Sequence, residues 1–210
     1  MQHKFRASSL AEIMTDPKDK NEPLSAGAKT CVEKLAKQAV YGYEEEITSK
    51  YMEKGIAVED KAIELYNEVF FTSHKKNTER KSNDWITGEC DIYTPVKIID
   101  IKSAWSLMTF PATRESGKDK TYEWQGRAYM WLYDVPEFEI AYCMVNTPPE
   151  LIGWENELVH YVDHINPELR VTTVSYTRDK ALEDKMAMRV EAANEYLQLM
   201  IQKIADEHNF

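Results

Sequence analysis

The chain has 210 residues, 43% of them apolar and 30% charged, and a net charge of −10. That length and composition fit a single domain over 1–210 with a real core, and no apolar run reaches the roughly 20 residues that cross a bilayer. The acidity excludes an indiscriminate nucleic-acid coat, because phosphate affinity comes from lysine and arginine, but it leaves room for a local basic groove.

The N-terminal stretch "MQHKFRASSLAEIM" has neither the long apolar segment nor the small-residue cleavage site of a signal peptide, which predicts a cytoplasmic protein. Cys31, Cys90 and Cys143 lie far apart without CxxC spacing and read as reduced structural thiols. Residues 16–25, with two prolines among charges, form a loop. Ser25 suits the N-cap of a long helix to about residue 50. Gly55 suits its end, before a second helix over about 56–69.

The basic run "HKKNTERK" (74–81) and the polar stretch "TRESGKDK" (113–120) read as solvated loops rather than phosphate contacts. "EVFFTSH", "DWITGECDIY" and "VKIIDIK" are rich in strand formers and are separated by the basic loop and Thr94-Pro95, so three strands are predicted. "TYEWQGRAYMWLYD" predicts a helix and "FEIAYCMVN" a strand; then come a helix over 149–165, a strand "LRVTTVSYT" and a long helix over 178–206. In that last helix Met186, Val190, Ala193, Leu197, Met200 and Ile204 alternate at four and three, a seam assigned to core packing rather than to another subunit. Helices, then strands, then mixed units indicate an α/β (α+β) domain, with a central mixed sheet flanked by helices.

The stretch "GECDIYTPVKIIDIKSAW" (88–105) is apolar at Ile92, Val96, Ile98, Ile99 and Ile101, yet it carries Asp91, Asp100 and Lys102. Ionised groups in a buried strand cost stability unless they are paired or bind a metal. If Thr94-Pro95 joins two antiparallel strands, Asp91 faces Ile98 and Glu89 faces Asp100. Side chains alternate with period two, so Asp91, Asp100 and Lys102 share one face. Asp91 and Asp100 become diagonal neighbours, with Cβ atoms about 7 Å apart. Two carboxylates so placed can share a hard divalent cation, Mg²⁺ or Mn²⁺. Lys102 beside it would accept a proton from the attacking water or orient that water. An Asp–Lys ion pair at a sheet edge is the competing reading.

Two further polar residues sit on apolar helical stripes. Glu59 shares one with Ile56, Ala62, Ile63 and Tyr66, whereas Asp60, Glu64 and Glu68 fall off it. Gln125 shares another with Tyr122, Ala128, Tyr129 and Leu132. Either alone would be an ordinary buried polar group bonded to backbone. Two of them flanking an acidic hairpin predict a shared site.

The motifs GxxxE (Gly55, Glu59), GxxD (Gly88, Asp91), DxK (Asp100, Lys102) and QxxxY (Gln125, Tyr129) follow one another in an order that resembles the PD-(D/E)XK nuclease superfamily. "GIAVEDKA" and "YEWQGRAYMW" are similar to its phage-type branch, the YqaJ-like viral recombinase and lambda exonuclease group, and the motifs span about 50–135. The resemblance implies a restriction-endonuclease-like core and Mg²⁺-dependent, two-metal hydrolysis of DNA from duplex ends, 5′→3′, in support of single-strand-annealing recombination. It makes Asp91, Asp100 and the Ile101 carbonyl metal ligands, and Glu59 a ligand of a second metal or its water. Lys102 would serve the nucleophilic water, and Gln125 would bridge to the scissile phosphate with Tyr129 in support.

The resemblance also implies double-stranded DNA ends as substrate, a ring-shaped trimer and an annealing recombinase as partner. A basic pocket for a 5′-phosphate has Arg6, Ser8 and Ser9 as candidates. Trp105 would wedge or stack on a base, with core packing as the alternative. Asp100 stands where the third motif more often has Glu, which shortens its reach by one methylene. A related endonuclease or single-strand nuclease is the nearest alternative. A non-catalytic DNA-end-binding module is a further one, and the intact Asp91, Asp100 and Lys102 speak against it.

Overall fold

The computed structural model describes residues 3–44 and 48–208. The chain begins with β1 (Phe5–Arg6), a 3-10 turn over Ala7–Ser9 and α1 (Ala11–Met14). Helix α2 (Ala26–Tyr41) starts where the sequence places it, with Ser25 Oγ accepting from the Ala28 N–H at 3.1 Å. It ends sooner than the sequence suggests, at Gly42, whose φ of 66° is the left-handed cap a residue without Cβ adopts freely.

A new helix, α3 (Lys50–Phe70), is capped by Ser49 Oγ, which accepts from the Met52 N–H at 3.3 Å, and it runs straight through Gly55. The break between helices therefore lies after Tyr41 and not at Gly55; residues 45–47 of the expected long helix fall outside the described residues. Helix α3 also takes up the start of the expected strand "EVFFTSH", because apolar positions continue at helical spacing to Val69.

The strands β2 (Lys81–Ser82), β3 (Ile86–Gly88), β4 (Ile92–Tyr93) and β5 (Lys97–Ser103) follow. Next come α4 (Lys120–Tyr133), β6 (Glu137–Cys143), α5 (Pro149–Ile152), β7 (Val171–Thr177) and α6 (Lys180–His208). The helix expected over 149–165 shrinks to α5 and a 3-10 turn, Glu157–Val159. Asn156 caps that turn separately, and Asn166 caps another at Pro167–Arg170.

The strands form two mixed sheets rather than one. A small sheet runs β1-β3-β2, and a larger one runs β4-β5-β6-β7, with β5 and β6 parallel and the two outer pairs antiparallel. "DWITGECDIY" is split between them, the chain turning at 89–91 where Cys90 is buried in the core. Helices α1, α2, α4 and α6 enclose the main core, which holds Ile98, Phe138 and Ile140 together with Met186, Val190, Ala193 and Leu197 of α6. Helix α3 covers the opposite face with Val58, Ala62, Leu65 and Tyr66 against Ile99, Ile101, Ala141 and Cys143. Each Val, Leu, Ile, Phe or Met side chain among these contributes about 1.5–3 kcal/mol on burial. All three cysteines are free. Among the described residues no helix is long and apolar enough to cross a membrane.

Candidate active site

Strand β5 separates apolar from charged chemistry by its own period. Ile99 and Ile101 face α3, while Asp100 and Lys102 face α4 with Ile98. The hairpin register is displaced from the expected one. Pro95-Val96 form the loop, closed by the Thr94 N–H on the Lys97 carbonyl (3.0 Å) and the Lys97 N–H on Thr94 Oγ1 (2.9 Å). Ile92 therefore pairs with Ile99 and Tyr93 with Ile98. The slip is two residues, so Asp91 keeps its face and comes opposite Asp100 instead of diagonal to it.

Strand β4 is too short to satisfy all of β5, and Asp91 completes the edge with its side chain: Oδ2 accepts from the Ile101 N–H at 2.7 Å. A residue's N–H and C=O point the same way along a strand, so the Ile101 carbonyl faces this same edge. Asp100 is 1% exposed. Lys102 Nζ lies 2.7 Å from its Oδ2, but off hydrogen-bond geometry. That oxygen is one of two buried side-chain polar atoms without a hydrogen-bond partner among the described residues. Burial, and then the charge of Asp100, push the Asp91 carboxyl up to about 7, against the pull of Lys102 and the Ile101 N–H. Burial works against the Lys102 ammonium, but Asp100 and Asp91 outweigh it and hold this lysine above its ordinary range.

Helix α4 supplies the other wall. Asp119 caps it, accepting from the N–H groups of Thr121 (2.7 Å) and Tyr122 (3.1 Å). Lys102 Nζ donates to Gln125 Oε1 at 3.2 Å and sits 4.5 Å from the Tyr122 ring centre. Gln125 Nε2 donates to Tyr129 Oη at 2.9 Å, and Tyr129 donates to the Glu89 carbonyl at 3.0 Å. The four motif residues Asp100, Lys102, Gln125 and Tyr129 thus form one connected chain. Gly88 makes it possible: a Cβ there would stand 2.8 Å from Tyr129 Cε1 and 2.9 Å from the Ala7 Cβ.

Glu59 behaves differently from expectation. Its side chain is 23% exposed and ion-paired with Lys76 of the coil after α3, and Ile56, its supposed stripe partner, is 77% exposed. Its other expected partners, Ala62, Ile63 and Tyr66, are buried, but with Lys54, Val58 and Leu65 they centre the buried stripe about one residue to the side of Glu59. Lys54, 1% exposed, donates to the carbonyls of Ala104 (2.6 Å), Trp105 (3.0 Å) and Val145 (3.0 Å), and burial pushes its pKa down to about 8. Among the described residues no three of the His, Cys, Asp and Glu side chains are gathered closely enough to hold a metal ion. As folded, Asp91 and Asp100 form a pair, while Glu59, near enough for its charge to help raise the Asp91 carboxyl, is ion-paired with Lys76.

This pair nevertheless fits a divalent cation. Two crowded carboxylates share the single ammonium of Lys102, one buried oxygen has no donor in hydrogen-bond geometry, and a carboxyl is pushed toward 7; the pair is short of positive charge, and its ligand atoms are hard oxygens. Beside it opens a cleft of about 490 Å³ lined by Arg6, Ser8, Arg80, Thr87, Glu89 and Tyr129, among others.

No protein-family model matches the chain, and no curated protein does. Among solved structures, a phage-related exonuclease from Haemophilus somnus 129PT is 35% identical, with a TM-score of 0.91 over 97% of both chains. An alkaline exonuclease from Laribacter hongkongensis, also solved in complex with dAMP, shares the fold at 18% identity, with a TM-score of 0.71 over 98% of this chain and 93% of that one. The chain belongs to the phage-type exonuclease branch of the PD-(D/E)XK nucleases.

Of the DNA contacts expected in a phage-type exonuclease, Arg6 and Ser8 line the cleft, whereas Ser9 turns away to donate to the Arg6 carbonyl at 3.2 Å. Tyr129 reaches the cleft wall, and Gln125 lies behind it. Trp105 offers no face to a base: it is 6% exposed, its Nε1 donates to Glu155 at 2.9 Å, and its ring is flanked by His160 and Lys50. Core packing is its role. Arg80, Thr87, Lys76 and Lys54 were not singled out by the sequence. For Lys54 the signal was present, since it precedes Val58 and Ala62 at steps of four. Arg80 and Lys76 belong to the basic run whose composition alone reads as solvated coil.

Proposed function

We propose that the chain is a divalent-metal-dependent DNA exonuclease that hydrolyses phosphodiester bonds from duplex ends, 5′→3′, in single-strand-annealing recombination. The observation that carries this reading is the Asp91–Asp100 pair, with a buried oxygen that no donor meets in hydrogen-bond geometry, beside Lys102. The 35% identity to a phage-related exonuclease supports it.

Asp91, Asp100 and the Ile101 carbonyl would hold Mg²⁺ or Mn²⁺. When bound, such an ion neutralises charge on the phosphate and supplies hydroxide near neutral pH. Lys102, steered by Asp100 and Gln125, presents an ammonium that orients the attacking water by donating to it. Gln125, braced by Tyr129, would meet the scissile phosphate. The cleft bearing Arg6, Ser8, Arg80 and Thr87 combines guanidinium and hydroxyl donors suited to a terminal 5′-phosphate. A ring-shaped trimer around the duplex and an annealing recombinase as partner belong to the same proposal, and light scattering in solution tests the former.

Linear and circular duplexes incubated with Mg²⁺ test the activity. An exonuclease consumes only the linear form. Nicking of the circle as well would make the chain an endonuclease, and two unchanged substrates would make it a binding module.

A further inference from the structure

The basic run "HKKNTERK" is not a free loop. Asn67 of α3 grips His74 twice, its Nδ2 donating to the His74 carbonyl and its Oδ1 accepting from the His74 N–H, both at 2.9 Å. Three residues on, the Asn77 N–H donates to the Asp91 carbonyl at 2.7 Å and Asn77 Nδ2 donates to the Cys90 carbonyl at 3.1 Å. The backbone between these anchors carries Lys76, so it is pinned both to the helix bearing Glu59 and to Asp91 itself. From there Lys76 Nζ forms its ion pair with the Glu59 carboxylate. An exposed lysine commonly gains little from such a pair, because ordering a long side chain offsets the attraction. Here the fold has already brought the partners together.

We propose that Lys76 is an exchangeable counter-charge, holding Glu59 in the absence of metal and competing with a divalent cation for that carboxylate. This deepens the metal-dependent reading and rests on it. Glu59, Asp91 and Asp100 concentrate negative charge around one sheet edge, with Lys102 serving Asp100 and Lys76 serving Glu59. A cation arriving at Glu59 meets the ammonium already there, and like charges at contact distance repel. Lys76 must withdraw for Glu59 to become a ligand, so it lowers affinity for the ion while balancing the Glu59 charge in the metal-free protein.

Calorimetric titration of Mn²⁺ into protein without DNA tests this in the wild type, Lys76→Met and Lys75→Met. Methionine keeps the apolar stem and removes the charge. Lys76→Met is expected to bind the ion about two- to fivefold more tightly, the scale of a half-exposed ion pair, whereas exposed Lys75→Met should match the wild type. Unchanged or weaker binding in Lys76→Met, or an equal gain in both variants, overturns the inference. Wild-type protein that binds no divalent ion overturns the metal-dependent reading, and the inference with it.

Discussion

Asp91 and Asp100 would repel each other in a dry strand, and that repulsion leaves a signature in pH. The unfolded chain releases the Asp91 proton near 4, whereas the folded chain keeps it to about 7. Between those values the folded state binds more protons, so metal-free stability falls as pH rises through the window. Thermal melting in chelator should show Asp91→Asn gaining on the wild type from pH 4.5 to pH 7.5; parallel melting curves would contradict the assignment. For catalysis, Lys102→Ala should lose about 10²–10⁴-fold in cleavage rate with folding and DNA binding intact. Full activity would remove Lys102 from the mechanism. Lys54 has a structural duty. Lys54→Met fills similar space but strips three buried carbonyls of their donor, which should cost about 2–4 kcal/mol in urea unfolding. The acids and Lys102 were legible from the sequence because alternation along β5 marks them as out of place. The buried Lys54 was legible only in retrospect, because its compensation lies in carbonyls elsewhere.

Among elements, the expected and observed hairpins differ by two residues, and that even slip is why the acids still share a face. The turn decided it: Thr94 bonds Lys97 through both its backbone and its hydroxyl, and so selects Pro95-Val96 as the loop. The α3 stripe is turned by about one residue, since both assignments satisfy a period of 3.6 and only the packing against Ile99 and Ile101 chooses between them. Close approach of β3, α4 and the N-terminal turn depends on Gly88. Gly88→Ala would force Tyr129 and Ala7 aside, costing about 1–3 kcal/mol. Because Tyr129 braces Gln125, cleavage should fall further than stability alone accounts for. A variant with normal turnover would show that this brace is dispensable.

The whole molecule sets a charged face of β5 against α4, an apolar face against α3, and lays the N-terminal turn beside the cleft. That arrangement predicts a selective effect at chain ends. Arg6→Ala should slow digestion of 5′-phosphorylated duplexes more than of hydroxyl-ended ones, and equal slowing would place Arg6 elsewhere. The sequence by itself determined which residues are candidates for the chemistry, the order of their motifs and the mixed α/β class. Those properties rest on strand and helix periods, which are relations between near neighbours in the chain. Only the tertiary structure decided that Lys54 is interior, that Glu59 meets Lys76, that "DWITGECDIY" serves two sheets and that Trp105 is covered. Burying a charge or an aromatic ring is favourable only where distant groups meet it. The carbonyls that receive Lys54 lie 50, 51 and 91 residues away, beyond the reach of any local pattern.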